Sequence, residues 1–194
     1  MRPRPAAVRD DDRIMERIAR RDAAAFTQVV GAQASRLQGI AWRMTGDPVE
    51  AEDVAQEALL RLWNQARSWQ PGKAGIGAWL ARVAVNLCLD RLRRRRFASD
   101  APVPERADDS APADAQLDAD RLRARALAAL ASLSDRHRAA IVLTYYEEMP
   151  NAAAAAALDM QLKGFESLLL RARNAMRAAL AESGLVTLAG EPMA

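Results

Sequence analysis

Leu133-Ser134-Asp135-Arg136-His137-Arg138, Pro150-Asn151, and Asp159-Met160-Gln161-Leu162 running on to Arg171-Ala172-Arg173 decide how this chain folds. The first stretch opens a helix, Asn151 caps a second after Pro150 has ended its predecessor, and the turn at Asp159 leads into a third. Two helices joined by a tight turn make a helix-turn-helix, a layout whose second helix can lie in the major groove of DNA. On that second helix Phe165, Leu169, Ala172 and Met176 recur at helical spacing, which suits packing. Lys163, Ser167, Leu170, Arg171, Asn174 and Arg177 fall on the other side, where Arg can pair with guanine edges or phosphates and Ser and Asn can donate or accept. Glu166 is the awkward member, repelling phosphates though able to accept from a cytosine amine. The alanine run Ala152 to Ala157 has high helix propensity and lets helices approach closely, and compositional drift explains it equally well. Taken alone, this region fits a plain antiparallel bundle as well as a DNA reader.

Working outward, the period remains helical throughout and no strand pattern occurs, so the chain is expected to be all-α. Asp12 is placed to cap a short helix, and Asp22 a longer one that carries Ala25, Phe26, Val29, Val30, Leu37 and Ile40 and closes at Gly46. Asp47-Pro48-Val49-Glu50 is a helix start signal, an acid followed by Pro at the first position and Glu three residues on. The helix behind it sets Val54, Ala58 and Leu62 on one face, with Leu59 and Trp63 alongside, and Glu52, Asp53, Gln56 and Glu57 opposite. Ser68 to Gly77 reads as a loop, and a helix from about Ala78 turns Leu80, Val83, Ala84, Leu87 and Leu92 inward. Ala98 to Ala115 is acidic, holds Pro102, Pro104 and Pro112, and has no apolar period, the composition of an extended linker. Helices resume near Leu117. The expected layout is a tail over 1–10, a helical domain over 11–97, an acidic linker over 98–116, a second helical domain over 117–182, and a flexible tail over 183–194.

Composition narrows the classes. Half of the 194 residues are apolar but only 5% aromatic, so two small helical units fit better than one large core. No apolar run approaches the ~20 residues of a membrane span, and Met1-Arg2-Pro3-Arg4-Pro5 does not begin a signal peptide. One cysteine and one histidine supply too few ligands for a Cys/His zinc site, and a lone cysteine fits a reducing cytoplasm. Cys88 is most simply a small buried residue, and His137 a surface or capping one. No Gly-rich phosphate loop or nucleophile–base pair can be drawn, so neither a cofactor nor an enzyme is expected. Charge is segregated along the chain. Six Arg face one Asp between Trp79 and Phe97, whereas seven acidic residues face one Arg between Ser99 and Asp120. A basic helix beside an acidic spacer suits a nucleic-acid surface, although a solvated helix face accounts for such a run about as often.

With both halves in view, the chain resembles the bacterial RNA polymerase sigma factors of the extracytoplasmic-function group, over about Asp22 to Phe97 and Leu117 to Leu180. Asp53-Val54-Ala55-Gln56-Glu57 with Leu60 and Trp63 is similar to the family's most recognisable stretch, in region 2. Trp79-Leu80-Ala81-Arg82-Val83-Ala84-Val85-Asn86 with Asp90-Arg91-Leu92-Arg93 resembles the promoter-melting, −10-reading stretch. Leu133 with Arg138 and Ala139-Ala140-Ile141-Val142-Leu143, then Glu166 to Arg173, resembles region 4. The resemblance implies that Asp53, Gln56 and Glu57 dock on the polymerase clamp. It places Trp69 and Asn86 at the capture of a flipped −10 base, for which an aromatic offers a stacking surface and an amide can pair with a base edge. Trp79 would sit beneath the loop, either as core or near the fork of melted DNA, with core favoured, and Arg91, Arg93 and Arg94 would hold the phosphate backbone. Lys163, Ser167, Arg171 and Asn174 would face the −35 element. The implied partners are core polymerase, promoter DNA and an anti-sigma factor, with no insertion in a membrane.

The chain departs from that pattern at Asp159, where Gly is common, and at Gln161, where Ser, Thr or Pro often precedes the recognition helix. Glu166 and Leu168 stand where several relatives carry basic residues. These departures keep open a sigma-like adaptor with a degenerate region 4. A stand-alone helix-turn-helix regulator is the other alternative, and it leaves Trp69 and Asn86 unexplained.

Overall fold

The computed structural model describes residues 6–71, 75–98 and 114–182, with side chains over 10–71, 75–97 and 122–182. Its helices are α1 (Ala6–Ala19), α2 (Ala23–Thr45), α3 (Pro48–Gln65), α4 (Ile76–Ala98), α5 (Asp114–Ser132), α6 (Asp135–Ile141), α7 (Asn151–Ala157) and α8 (Leu162–Glu182), and no strand occurs among the described residues. A 3₁₀ turn (Ala66–Ser68) follows α3 and a π turn (Val142–Tyr146) follows α6. The architecture is all-α, with α1–α4 forming one domain and α5–α8 the other.

Local chemistry explains most boundaries. Asp22 accepts from the Ala25 N–H at the start of α2, and that bond, followed by Arg17, holds its carboxyl below the usual range. Gly46 takes the left-handed conformation (φ 71°) that ends α2, donating its N–H to Trp42 O at 2.8 Å. Asp47 then accepts from the Val49 and Glu50 N–H groups with Pro48 at the first helical position, so one dipeptide closes a helix and opens the next.

Several expectations are corrected. Asp12 does not start a helix: α1 begins at Ala6, inside the expected tail, and Asp12 lies within it, buried, accepting from Trp69 Nε1 at 2.9 Å. Helix α4 starts at Ile76, where the Ile76 N–H donates to Asp11 at 2.8 Å, and α5 starts at Asp114. Asn151 is the first helical residue of α7, with Pro150 in the cap position and no side-chain cap. Most of the expected linker, 99–113, and the C-terminal tail, 183–194, lie outside the described residues.

In the first domain α2 packs along α3 and α4 around Leu37, Ile40, Met44, Val54, Leu62, Leu80 and Val85, while α1 adds Met15 and Ile18. Buried alanines (Ala41, Ala51, Ala55, Ala58, Ala81, Ala84) hold these helices close. The second domain closes on Phe165, Leu130 and Leu143. Burying a side chain such as Phe165 contributes about 1.5–3 kcal/mol. Ala154, Ala155 and Ala157 are buried where α7 meets α8, so half of the alanine run serves close approach. The two domains also pack on each other, through α2 and α4 against α5, α6 and α7.

Candidate nucleic-acid interface

A cavity of about 310 Å³ opens between the end of α3 and the start of α4, lined by Met15, Leu62, Gln65, Ser68, Trp69, Gln70, Trp79 and Arg82. Trp69 and Trp79 form its aromatic wall, edge to face at 6.4 Å between ring centroids. The bond from Trp69 Nε1 to Asp12 fixes the indole, which is why the short α1 matters to this site. Trp79 is half-buried, packed against the core and lining the cavity. Arg82, which sequence reasoning passed over, stands at its edge. The signal was available, since an arginine four residues before Asn86 shares a helix face with it.

Asn86 does not line this cavity. It lies one turn further along α4, in a cleft of about 920 Å³ between the domains, with Asp90, Arg93 and Arg96 on the near side and Ser134, Asp135, Leu158 and Asp159 on the far side. Trp69 and Asn86 thus belong to two separate recesses; Arg82 edges the first and pairs with Asp159 in the wall of the second. Arg93 is exposed and reaches Asp90 at 3.1 Å, and Arg94 is exposed. Arg91 is directed elsewhere: it is half-buried against α3, 3.2 Å from Glu57, 3.9 Å from Asp53, and donating to Glu50 O. Glu57 is also paired with Arg61 at 2.7 Å. The exposed face of α3 carries Glu52, Asp53 and Gln56, with Gln56 Nε2 donating to Glu52 at 3.1 Å and Leu60 beside them.

Helix α8 separates as its pattern predicts. Phe165, Leu169 and Ala172 are buried, whereas Lys163, Ser167, Leu170, Arg171 and Asn174 are exposed on one side. Ser167 Oγ donates to Lys163 O, and Arg171 Nε donates to Ser167 O at 3.3 Å, so both polar heads rest along their own helix. Leu168 is buried, so its lack of charge does not bear on a groove. Asp159, at the turn before α8, has a φ of 50°, a conformation that Gly adopts freely and Asp tolerates. Its carboxylate meets Arg82 at 2.8 Å.

Arg138 is buried and donates to Leu130 O, Ala131 O and Leu133 O, and across the domain boundary to Met44 O. Burial, and then the charge of Arg96, lowers its pKa. Cys88 is buried and its thiol is pushed up to about 12, chiefly by burial, which fits the reading of a packing residue. Among the described residues no group of three or more His, Cys, Asp or Glu side chains could hold a metal ion. No described helix is long and apolar enough to cross a membrane.

The arrangement sets an aromatic cavity beside a basic helix in one domain and a helix-turn-helix in the other. The family models agree: sigma-70 region 2 matches residues 29–98 and sigma-70 region 4 matches residues 123–176. The chain is 34% identical to the ECF RNA polymerase sigma factor SigL of Mycobacterium tuberculosis, over 84% of this chain and 93% of that protein. It is 33% identical to SigE of Mycolicibacterium smegmatis, over 81% of this chain, and spans 62% of that protein's length. The structure of CnrH in complex with the cytosolic domain of CnrY superposes with a TM-score of 0.67 at 26% identity, covering 89% of this chain and 97% of CnrH. The chain belongs to the ECF RNA polymerase sigma factors.

Proposed function

We propose that this sigma factor docks on core polymerase through Asp53, Gln56 and Glu57 of α3 and takes a flipped −10 base of the non-template strand into the Trp69–Trp79 cavity. Arg82 and Asn86 then line the path of the strand along α4, and Arg93 and Arg94 hold its phosphates. Arg91 stays with α3, its charge offset by Glu57 and Asp53, and its contribution to DNA is indirect. Helix α8 reads the −35 element with Lys163, Ser167, Arg171 and Asn174. The chain acts by binding, in the cytoplasm, without a catalytic step of its own. The observation that carries this reading is the fixed aromatic wall of the cavity. An indole pinned by Asp12 and backed by Trp79 offers a preformed stacking surface next to a basic helix.

CnrH is seen with the cytosolic domain of CnrY, and the sigma factor RpoE of Bartonella quintana with the anti-sigma factor NepR. By the same likeness, an anti-sigma partner holds this chain until a signal releases it.

The test is to add the purified chain to sigma-free core polymerase and map transcript starts on genomic DNA. Discrete starts that share two spaced upstream motifs support the reading, and core binding without starts favours the adaptor alternative. Absence of core binding refutes it.

A further inference from the structure

The two domains have separate stretches of DNA to read, yet here they face each other, and the ionic contacts between them run one way. Among the described residues, Arg36 pairs with Glu147, Arg82 with Asp159 and Arg96 with Asp135, each a cation of the first domain on a carboxylate of the second. Arg82 and Arg96 both lie on α4, before and after Asn86. Arg96, Asn86 and Arg93 line the interdomain cleft, whose far wall carries Asp135 and Asp159. Arg82 also edges the Trp69 cavity. A carboxylate on a guanidinium satisfies the same fork of donors that a phosphate would. Asp159 does so from a left-handed turn position that a glycine would occupy with less strain.

We propose that Asp135 and Asp159 are built-in phosphate mimics that latch the second domain over α4 and cover its DNA-binding face in the free protein. This rests on the reading of α4 as a nucleic-acid surface. It also gives a purpose to the Asp159 departure. The arginines involved are largely exposed, so each pair is weak and screened by salt, and the latch can open when DNA phosphates compete for the same guanidinium groups. Opening the latch would free Arg82 and Arg96 together with the Asn86 cleft. Closing it also keeps region 4 from reaching a distant −35 site.

The test compares the full chain with the Asp135→Asn/Asp159→Asn variant, Asn being chosen because it also tolerates the left-handed turn. Small-angle scattering reads compactness, and fluorescence anisotropy reads binding of a labelled single-stranded oligonucleotide of mixed sequence. A Glu148→Gln/Glu182→Gln variant removes two exposed carboxylates away from α4 and controls for net charge. The latch predicts a compact wild type at about 50 mM salt that expands at about 500 mM, and a double Asn variant already expanded at low salt. Affinity for the strand should rise about tenfold if the open fraction goes from roughly a tenth to nearly all. Arg96→Asp alone should expand the chain at low salt, and adding Asp135→Arg to it should restore compactness.

Equal compactness of wild type and double Asn variant overturns the latch. So does a gain in DNA affinity no larger than that of the Glu148/Glu182 control, or expansion with no gain at all. Start-site mapping with core polymerase tests the parent reading separately. Wild-type starts without any effect of the double Asn change would sink the latch alone.

Discussion

Replacing Arg138 with Met probes how the second domain is closed. Arg138 is only 8% exposed, and its guanidinium donates to Leu130 O at 2.9 Å, Ala131 O at 2.6 Å and Leu133 O at 3.2 Å, as well as to Met44 O. These carbonyls lie at or just past the ends of α5 and α2, where helix acceptors run short of partners and carry partial negative charge. Methionine fills much of the stem's volume but donates nothing, so Ala131 O, Leu133 O and Met44 O lose their charged donor, while Leu130 O keeps the Leu133 N–H. Hydrogen bonds from a charged donor are worth about 1.5–3 kcal/mol each but are not additive. Removing a buried cation also recovers several kcal/mol of desolvation. The balance predicts a loss of about 2–4 kcal/mol. At an m-value of about 2 kcal/mol/M this lowers the urea midpoint by about 1–2 M.

The chain has convenient reporters, because Trp42, Trp63, Trp69 and Trp79 all lie in the first domain and Tyr145 and Tyr146 in the second. Far-ultraviolet circular dichroism and near-ultraviolet tyrosine signals should show the early transition, with a smaller shift in tryptophan fluorescence that reflects the bond to Met44. Arg138→Lys should recover only part of the loss, since an ammonium cannot span the same fork. A loss below about 1 kcal/mol would refute the claim that Arg138 satisfies both helix ends.

Asn86→Ala should impair initiation while leaving core polymerase binding nearly intact, checked by run-off transcription beside a pull-down; equal loss of both would remove the strand-path role. Asp53→Ala with Gln56→Ala should abolish polymerase association without lowering the thermal midpoint, and unchanged association would dismiss the α3 docking face. Arg171→Ala should cost about 1–3 kcal/mol at the cognate −35 sequence, and a uniform loss over unrelated sequences would make it a phosphate contact. For Cys88 the sign follows from its raised pKa. The folded thiol keeps its proton up to about 12, while the unfolded one releases it near 9. Its share of stability is therefore complete below pH 9 and falls by about 1.4 kcal/mol per pH unit as pH rises through that window. Cys88→Ala should remove that part of the alkaline slope, measured by urea melts at pH 8 and above, and an unchanged slope would count against the burial.

The sequence by itself determined the parts that depend on neighbours along the chain. Asp22, Gly46 and Asp47-Pro48 mark helix ends because caps are satisfied within a few residues of the side chain that supplies them. The faces of α3 and α8 were legible for the same reason, since helical period sorts Val54, Ala58 and Leu62 from Asp53 and Gln56, and Phe165 and Ala172 from Arg171 and Asn174. The tertiary structure decided what reaches across the chain. Asp12 looked like a cap because its sequence neighbours allow one, but its partner is Trp69, fifty-seven residues away. Arg91 looked like one more member of a basic run, and only the packing of α4 on α3 brought it to Glu57. The same holds for Arg82 with Asp159 and Arg138 with Met44, pairings between domains that no local pattern encodes. Local rules act over a turn or two of helix, whereas a charge chooses its partner by distance in space, and that distance exists only once the helices have packed.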